Sequence, residues 1–272
     1  MIKNQFEKEI TISGSQSKGA IANNKKDVVK IQSWLNLYAH SNPDSGTATA
    51  IDGDFGPATE TAVKNFQKAI KLPQTGKVDN ALFDRLCKPM TTAFEAKAKG
   101  KNLRELIVNV AKNHLNQLPF ELVIKGQSNS GPWVRSYMDA NEGEPWFWCM
   151  GFVQTIIDQA TCQQGKDFRT LMPLTYSCDT VATTALNKGL LKRVFEIRKD
   201  ASIVKPGDIF LVQKSPMDWF HTGLLIAIHD DVFETIEGNT NEDGSHNGMG
   251  VYRRLRNFVR SKLDVFSIEP LV

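Results

Sequence analysis

Pro145-Trp146-Phe147-Trp148-Cys149-Met150-Gly151-Phe152-Val153 changes character at Cys149. From Met150 to Ala160 the apolar residues Met150, Val153, Ile156, Ile157 and Ala160 recur at helical spacing, whereas the bulky run from Pro145 to Trp148 precedes the pattern. The spacing predicts a helix with Cys149 at its start. Unpaired N–H groups and the positive end of the helix dipole favour negative charge on sulfur there, and supply a donor for an oxyanion. A thiol becomes a strong nucleophile only as thiolate, so Cys149 is the candidate nucleophile.

An imidazole and two carboxylate or amide partners lie downstream. Gly207-Asp208 opens the apolar run Ile209 to Val212, a loop with Ser215, Pro216, Trp219 and Phe220 follows, and a second run covers Leu224 to Ile228. These runs predict two antiparallel strands with His221 at the entry of the second. A third strand, Val232 to Ile236, ends at Glu237. Residues two apart on a strand share a face, so Glu237 and Asn239 both approach His221 if the extended conformation persists through Gly238. Helices followed by these strands predict an α+β fold, and Cys149, His221, Glu237 and Asn239 imply cysteine-hydrolase chemistry.

The remaining cysteines and histidines read differently. Cys87, Cys162 and Cys178 combine no helix start with an ordered His and acidic partner downstream, and are read as core or surface thiols. A Cys162–Cys178 disulfide is left open. Cysteine spacing is far wider than a C-x-x-C pair, so no metal is expected, and no cofactor either. His229 precedes the turn Asp230-Asp231 and reads as solvated; His114, on a helix with Leu103, Leu106, Ile107 and Val110, reads as a boundary residue. His246 lies in a Gly- and Asn-rich loop from Asn241 to Gly250, where the alternatives are substrate contact and a mobile loop.

The first third is a separate small bundle. Val28, Ile31, Leu35 and Tyr38 trace one helix face after Asp27 as N-cap. Ile51 to Pro57 reads as a turn, with Pro57 at the first position of a helix carrying Ala62, Val63, Phe66, Ala69 and Ile70. A third helix begins near Asp79 and buries Leu82, Phe83 and Leu86. The domains expected are an extension over 1–25, the three-helix module over 26–88, a solvated join over 89–101, and the cysteine domain over 102–272.

Composition suits this division: 272 residues, 41% hydrophobic and 23% charged, describe ordinary globular sequence. Residues 1–100 carry a net +4 and the remainder −1. That mild basic balance is too small to imply nucleic acid, and no Lys/Arg-aromatic array suggests base stacking, so no nucleic-acid partner is expected. Met1 to Ala20 holds only the short apolar run Ile10-Thr11-Ile12, so neither a signal peptide nor a membrane span is expected. Leu72-Pro73-Gln74-Thr75-Gly76 has the letters of a sortase signal but no apolar span or basic tail after it.

Both parts resemble known families. Residues from about Leu103 to Val272 resemble a CHAP domain (cysteine, histidine-dependent amidohydrolase/peptidase), a branch of the papain-like NlpC group. The matching pieces are the Trp148-Cys149 pair before an apolar helix, Lys205-Pro206-Gly207-Asp208 before a strand, His221 with Gly223, and Ile236 to Thr240. The resemblance implies a papain-like domain with N-terminal helices packed on an antiparallel sheet, hydrolysing an amide bond of peptidoglycan. It makes Cys149 the nucleophile, His221 the base, Glu237 its orienting partner and Asn239 a second polar group, with Trp148 and Trp219 walling the substrate cleft. The chain departs from the family in a long insertion between the cysteine helix and Lys205.

Residues 26–88 resemble the peptidoglycan-binding type 1 domain through Gln32, Asp52-Gly53, Phe55-Gly56, Thr59, Ala62-Val63, Phe66-Gln67 and Gly76. This implies a module that holds wall polymer, with Asp52, Phe55 and Thr59 as the candidate contacts. Together the resemblances imply a wall amidase or endopeptidase, a monomer whose partner is peptidoglycan. Delivery from the cytoplasm to the wall would be as a phage endolysin through a holin pore, or as an injected antibacterial effector with a secretion component and an immunity protein. Two other classes stay open: a non-catalytic wall-binding or adaptor protein, and a cysteine acyltransferase on the same fold.

Overall fold

Asn24, not Asp27, caps the first long helix. The computed structural model describes residues 1–243 and 245–272; Gly244, within the loop read from Asn241 to Gly250, lies outside the described residues. After one turn of helix, α1 (Phe6–Glu9), α2 runs over Lys25–Ser41, and the Asn24 side chain accepts from the N–H groups of Lys26 and Asp27 at 2.9 and 3.3 Å. Asp27 sits buried in the first turn, where its carboxylate accepts the Ser13 N–H at 2.7 Å and the Ser13 hydroxyl. It ties down the preceding segment, a long-range role that local capping statistics do not contain.

The next two helices follow the sequence. α3 (Pro57–Ala69) has Pro57 in its first turn, and α4 (Asn80–Leu86) is capped by Asp79, which accepts the Leu82 N–H at 2.9 Å. Val28, Ile31, Leu35, Val63, Phe66 and Phe83 are buried between them. Of the two forms open for the join, a flexible linker or a short helix, its first part is the helix α5 (Lys88–Glu95), followed by α6 (Leu103–Leu115), capped by Asn102.

Residue contacts divide the chain into two compact units: 4–92 with 120–144, and 1–3 with 93–119 and 145–272. Two stretches therefore fold elsewhere than the contiguous reading assigned them. Residues 4–25 of the extension are part of the first unit, where Gln16 and Val78 exchange backbone hydrogen bonds at 2.8 and 2.9 Å. Residues 120–144, read as cysteine-domain sequence, supply that unit with the hairpin β1 (Leu122–Ile124) and β2 (Gln127–Ser130) and with α7 (Pro132–Tyr137). Trp133 meets Trp34 edge-on at 6.1 Å, and Arg135 forks onto Glu9 at 2.9 and 2.6 Å.

In the second unit, α8 (Cys149–Cys162) is enclosed on all sides. Met150, Val153, Ile156, Ile157 and Ala160 are buried as the periodicity predicts, and so are the polar residues between them. Burial is tolerated because each polar group is paired: Gln154 Nε2 donates to Pro173 O at 2.9 Å, Thr155 to Gly151 O at 2.8 Å, and Asp158 accepts the Lys3 N–H at 2.8 Å. His114, read as a boundary residue, is fully buried beside this helix, with Nε2 2.9 Å from Gln159 Oε1.

The insertion after α8 forms α9 (Cys178–Asn187), β3 (Leu191–Lys192) and α10 (Val194–Ile197). Five longer strands follow: β4 (Ile209–Ser215), β5 (Asp218–His229), β6 (Val232–Thr240), β7 (Gly250–Asn257) and β8 (Leu263–Phe266). Among the described residues they make an antiparallel sheet in the order β3-β8-β4-β5-β6-β7, so the fold is α+β. Pro216 and Met217 alone separate β4 from β5, which puts Trp219, Phe220 and His221 inside the strand rather than in a loop and at its entry. Trp219 holds them there, its N–H bonded to Asp179 Oδ1 at 2.6 Å and its indole to Asp264 at 3.0 Å.

Lys205-Pro206-Gly207-Asp208 is a structural latch. Buried Asp208 accepts from Lys205 N–H, Ile268 N–H and Arg104 at 2.8, 2.9 and 2.8 Å, while Gly207, at φ +89°, donates to Leu225 O at 2.8 Å. Among the described residues no helix is long and apolar enough to cross a membrane.

Candidate active site

Cys149 is the first residue of α8, and the residue before it, Trp148, offers no side-chain bond to the first-turn N–H groups. Those donors are left for sulfur or for an oxyanion. A hydrogen bond from Cys178 is the strongest influence holding the Cys149 thiol well below its ordinary range; burial opposes it, and His221 and the Met150 N–H reinforce it. The largest lowering influence was therefore missed by the sequence reading, which took Cys178 for an inert thiol. Cys178 opens α9, capped by Ser177, and packs by Cys149 rather than pairing with the exposed Cys162. All four cysteines are free thiols.

His221 is fully buried and places Nε2 2.8 Å from Glu237 Oε2. Its Nδ1 has no geometric hydrogen bond among the described residues, which leaves that nitrogen for the neighbouring Cys149 sulfur. Burial pulls the imidazole pKa down, but Cys149 and Glu237 outweigh it and raise the value to about 9. Both directions favour thiolate and imidazolium over thiol and imidazole.

Glu237 is held on all sides. Besides His221 it accepts from the Thr235 hydroxyl at 2.6 Å and from both Nε, at 2.8 Å, and Nη2 of Arg256. Burial would raise its pKa; Arg256 and His221 reverse that and bring it to about 2. Arg256 also lies 5.7 Å from the Phe210 ring centroid. Sequence gave no sign of this arginine, because Arg253, Arg254 and Arg256 read alike on one strand and only the fold sorts them. Arg253 pairs with Glu234 at 2.7 Å, and Arg254 bonds Asn241 O at 2.9 Å.

Two glycines make room. A Cβ on Gly223 would lie 2.7 Å from Phe210 Cε1 and 2.8 Å from Glu237 Cγ, so the glycine beside the histidine is the gap the glutamate occupies. A Cβ on Gly238 would lie 2.7 Å from Phe152 Cβ and 2.9 Å from Trp148 Cζ3, so β6 can lie against the start of α8 only without it.

Asn239 does not share the role of Glu237. Its φ of +56° departs from the extended backbone within β6, and the β6–β7 ladder is irregular between Glu237 and Thr240. The extended conformation that would have brought both side chains to His221 does not persist. Asn239 is buried, and its amide has no hydrogen-bond partner among the described residues.

Trp148 and Trp219, expected to wall a cleft, are buried at 0% and 2% exposure. Trp146, Phe147 and Phe220 are the exposed aromatics of the same segments. His246 meets Phe220 edge-on at 4.6 Å and lies 5.2 Å from the His221 ring; burial, and then the His221 charge, lower its pKa to about 4. His229 is exposed, as expected.

In the first unit, Gln32 organises the turn at Asp52. Its Nε2 reaches Asp52 Oδ1, Asp54 O and Thr59 Oγ1 at 2.8, 2.9 and 3.1 Å, and its Oε1 accepts the Gly53 N–H at 2.8 Å. Phe55 and Thr59 are buried by this arrangement, so neither presents a surface to a polymer. Asp52 remains exposed and borders a cleft of about 270 Å³ with Lys25, Ile51, Lys125 and Glu142.

Residues 24–86 match the family described as "Putative peptidoglycan binding domain". The match supports a cell-wall-associated function and peptidoglycan binding. None of the curated proteins and none of the solved structures matches the chain.

Proposed function

We propose that the chain is a cysteine-dependent hydrolase that cuts an amide bond of peptidoglycan while its first unit holds the wall. The observation that carries this reading is the succession of buried Cys149, His221 and Glu237 and partly buried Arg256, in which each group favours the charged form of the one before it. A structural core has little use for a thiolate, since burying an ion costs several kcal/mol unless it is paired. Poised nucleophiles are where such clusters are found.

The chemistry is acyl transfer to water. The Cys149 thiolate attacks the amide carbonyl, and a first-turn N–H of α8 receives the oxyanion. His221, held through Nε2 by Glu237, gives its proton to the leaving amine from Nδ1 and then takes one from the water that opens the thioester. Arg256 keeps Glu237 ionised throughout. The bond cut is either that joining muramic acid to L-alanine or one within the stem peptide or cross-bridge.

Mass spectrometry of soluble fragments released from purified sacculi, by the wild type and by Cys149→Ala, tests the reading. Stem peptides freed from glycan by the wild type alone mean an amidase, and shortened or un-crosslinked muropeptides an endopeptidase. Equal release by both proteins, or none from several wall chemotypes, removes the hydrolase.

A further inference from the structure

We propose that the cleft beside Asp52 is a wall-binding subsite of the first unit, and that it takes a short peptide carrying both a free amine and a free carboxylate, as an un-crosslinked stem peptide does. The subsite rests on the wall-binding half of the function proposed above and is independent of the hydrolase half. The cleft has two walls, and only one belongs to the matched family. Residues 24–86 supply Lys25, Ile51 and Asp52, whereas the segment 120–144, outside that match but in the same unit, supplies Ile124, Lys125 and Glu142. Each wall thus brings a lysine, a carboxylate and an isoleucine. The volume of about 270 Å³ lies just below what drug-sized ligands occupy, which suits a few residues of peptide and not a glycan strand.

Both walls are held in place, and each keeps a carboxylate oxygen in reserve. A Cβ on Gly53, at φ +80°, would lie 2.6 Å from Lys25 Cγ and 3.1 Å from Lys25 Cε, so the lysine stem lies along the turn that presents Asp52. Asp52 Oδ1 accepts from Gln32 at 2.8 Å and from the Asp54 N–H at 2.9 Å, while Oδ2 takes no hydrogen bond among the described residues. In the other wall Glu142 Oε2 accepts the Gly131 N–H at 2.8 Å and Arg135 at 2.7 Å, and Oε1 is likewise unengaged among the described residues. Lys125 and Gly126 form the two-residue tip of the β1–β2 hairpin, with Ile124 paired to Gln127 and φ of +53° and +78°. Glycine and asparagine are the residues that such a turn prefers. A lysine that lines the cleft accepts the backbone strain instead, and strain of this kind gathers at ligand clamps. Charge then selects the ligand. Among the described residues, Glu142 with Arg135 is the one ion pair that the charged side chains of the two walls make. A neutral sugar would desolvate the other charges without pairing them, whereas a zwitterion offers a partner to both signs.

The test is calorimetric titration of the full chain, carrying Cys149→Ala so that nothing is cut, with N-acetyl-L-Ala-D-isoglutaminyl-L-Lys, whose only charges are the lysine amine and the terminal carboxylate. Binding is expected, and acetylating that amine or amidating that carboxylate should each weaken it roughly tenfold or more, the worth of a charge-assisted contact. In the same background Lys125→Asn, which suits the left-handed turn, and Lys25→Gln should each cost roughly tenfold in affinity at unchanged Tm. No binding of the peptide, equal binding of the two masked peptides, or tighter binding of a chito-oligosaccharide overturns the proposal. Full affinity in both lysine variants places the peptide elsewhere and overturns it too. If the variants fail to fold, the masked peptides still decide. Retention on pelleted sacculi without peptide binding keeps the wall-binding reading and removes this ligand. Peptide binding that the lysine variants lose, in a protein whose wild type releases no wall fragments, leaves the cleft standing and removes the hydrolase. Fragment release by a wild type that binds no peptide does the reverse.

Discussion

Glu237 and His221 face each other at 2.8 Å with neither side chain exposed to solvent, and the same carboxylate receives two donors from Arg256. Burial of both groups lowers the local dielectric, which strengthens that hydrogen bond. The imidazole is held through Nε2, and Nδ1 is bonded to no other group among the described residues.

Glu237→Gln keeps the shape and removes the charge. Release of wall fragments is expected to fall by roughly 10²- to 10⁴-fold, the range spanned by positioned acid–base groups. Arg256, partly buried, is left without its counter-ion, so a stability loss of about 1–3 kcal/mol is also expected in denaturant titration. Unchanged turnover in the folded variant would remove Glu237 from the mechanism.

Alkylation of Cys149 by iodoacetamide should proceed at its plateau rate far below the pH at which a free cysteine ionises, because the thiolate is already present there. Above about pH 9 His221 loses its proton, and hydrolysis should decline although the thiolate persists. A Cys149 rate that rises like that of an ordinary thiol would contradict the ion pair.

Folding stability should be bounded by the same groups. The raised pKa of His221 contributes stability fully below its ordinary value of 6.5, and that contribution is lost as pH rises through about 9. Glu237, depressed from 4.5 to about 2, contributes above its ordinary value and loses the contribution as pH falls through about 2. In Cys149→Ala the thiolate no longer supports the imidazolium, so the alkaline decline in Tm should begin at lower pH. An unshifted alkaline limb would mean that the thiolate does not hold the His221 proton.

Gly238→Ala places a methyl group 2.7 Å from Phe152 Cβ and 2.9 Å from Trp148 Cζ3 in a packed interior. A loss of about 1–3 kcal/mol is expected, read as a lower Tm. Trp148 is bonded to Cys149, so the alkylation rate should drop as well. A variant as stable and as reactive as wild type would show that the strand and helix separate easily.

Trp219→Phe separates a core role from a substrate role. Loss of the indole bond to buried Asp264 should cost about 1–3 kcal/mol of stability. The KM for soluble muropeptide should stay within a few-fold. A large rise in KM at unchanged stability would return Trp219 to the substrate surface.

Much of the architecture was legible locally. The period of Met150, Val153, Ile156, Ile157 and Ala160 defined the cysteine helix, Pro57 and Asp79 marked helix starts, and apolar runs marked β4, the greater part of β5, and β6. The three-helix match over residues 24–86 lay in turn and core residues close together in the chain. Where the reading failed, a distant partner was responsible: Ser13 drew Asp27 out of a capping role, and Asp179 and Asp264 held Trp219 in a strand.

By itself the sequence determined the period of each element and the chemical type of each candidate group, because helix and strand patterns repeat over a few residues. Only the tertiary structure decided that Arg256 and not Arg254 meets Glu237, that Asn239 takes a left-handed backbone conformation, that residues 120–144 join the first unit, and that Cys178 acts on the charge of Cys149. Each of those depends on strand register, on a left-handed backbone residue or on packing between segments far apart in the chain. Charges and thiols carry no periodic signature of the partner they will meet, so the pairings that set the charge of His221 and Glu237 against their burial exist only once the sheet has closed around them.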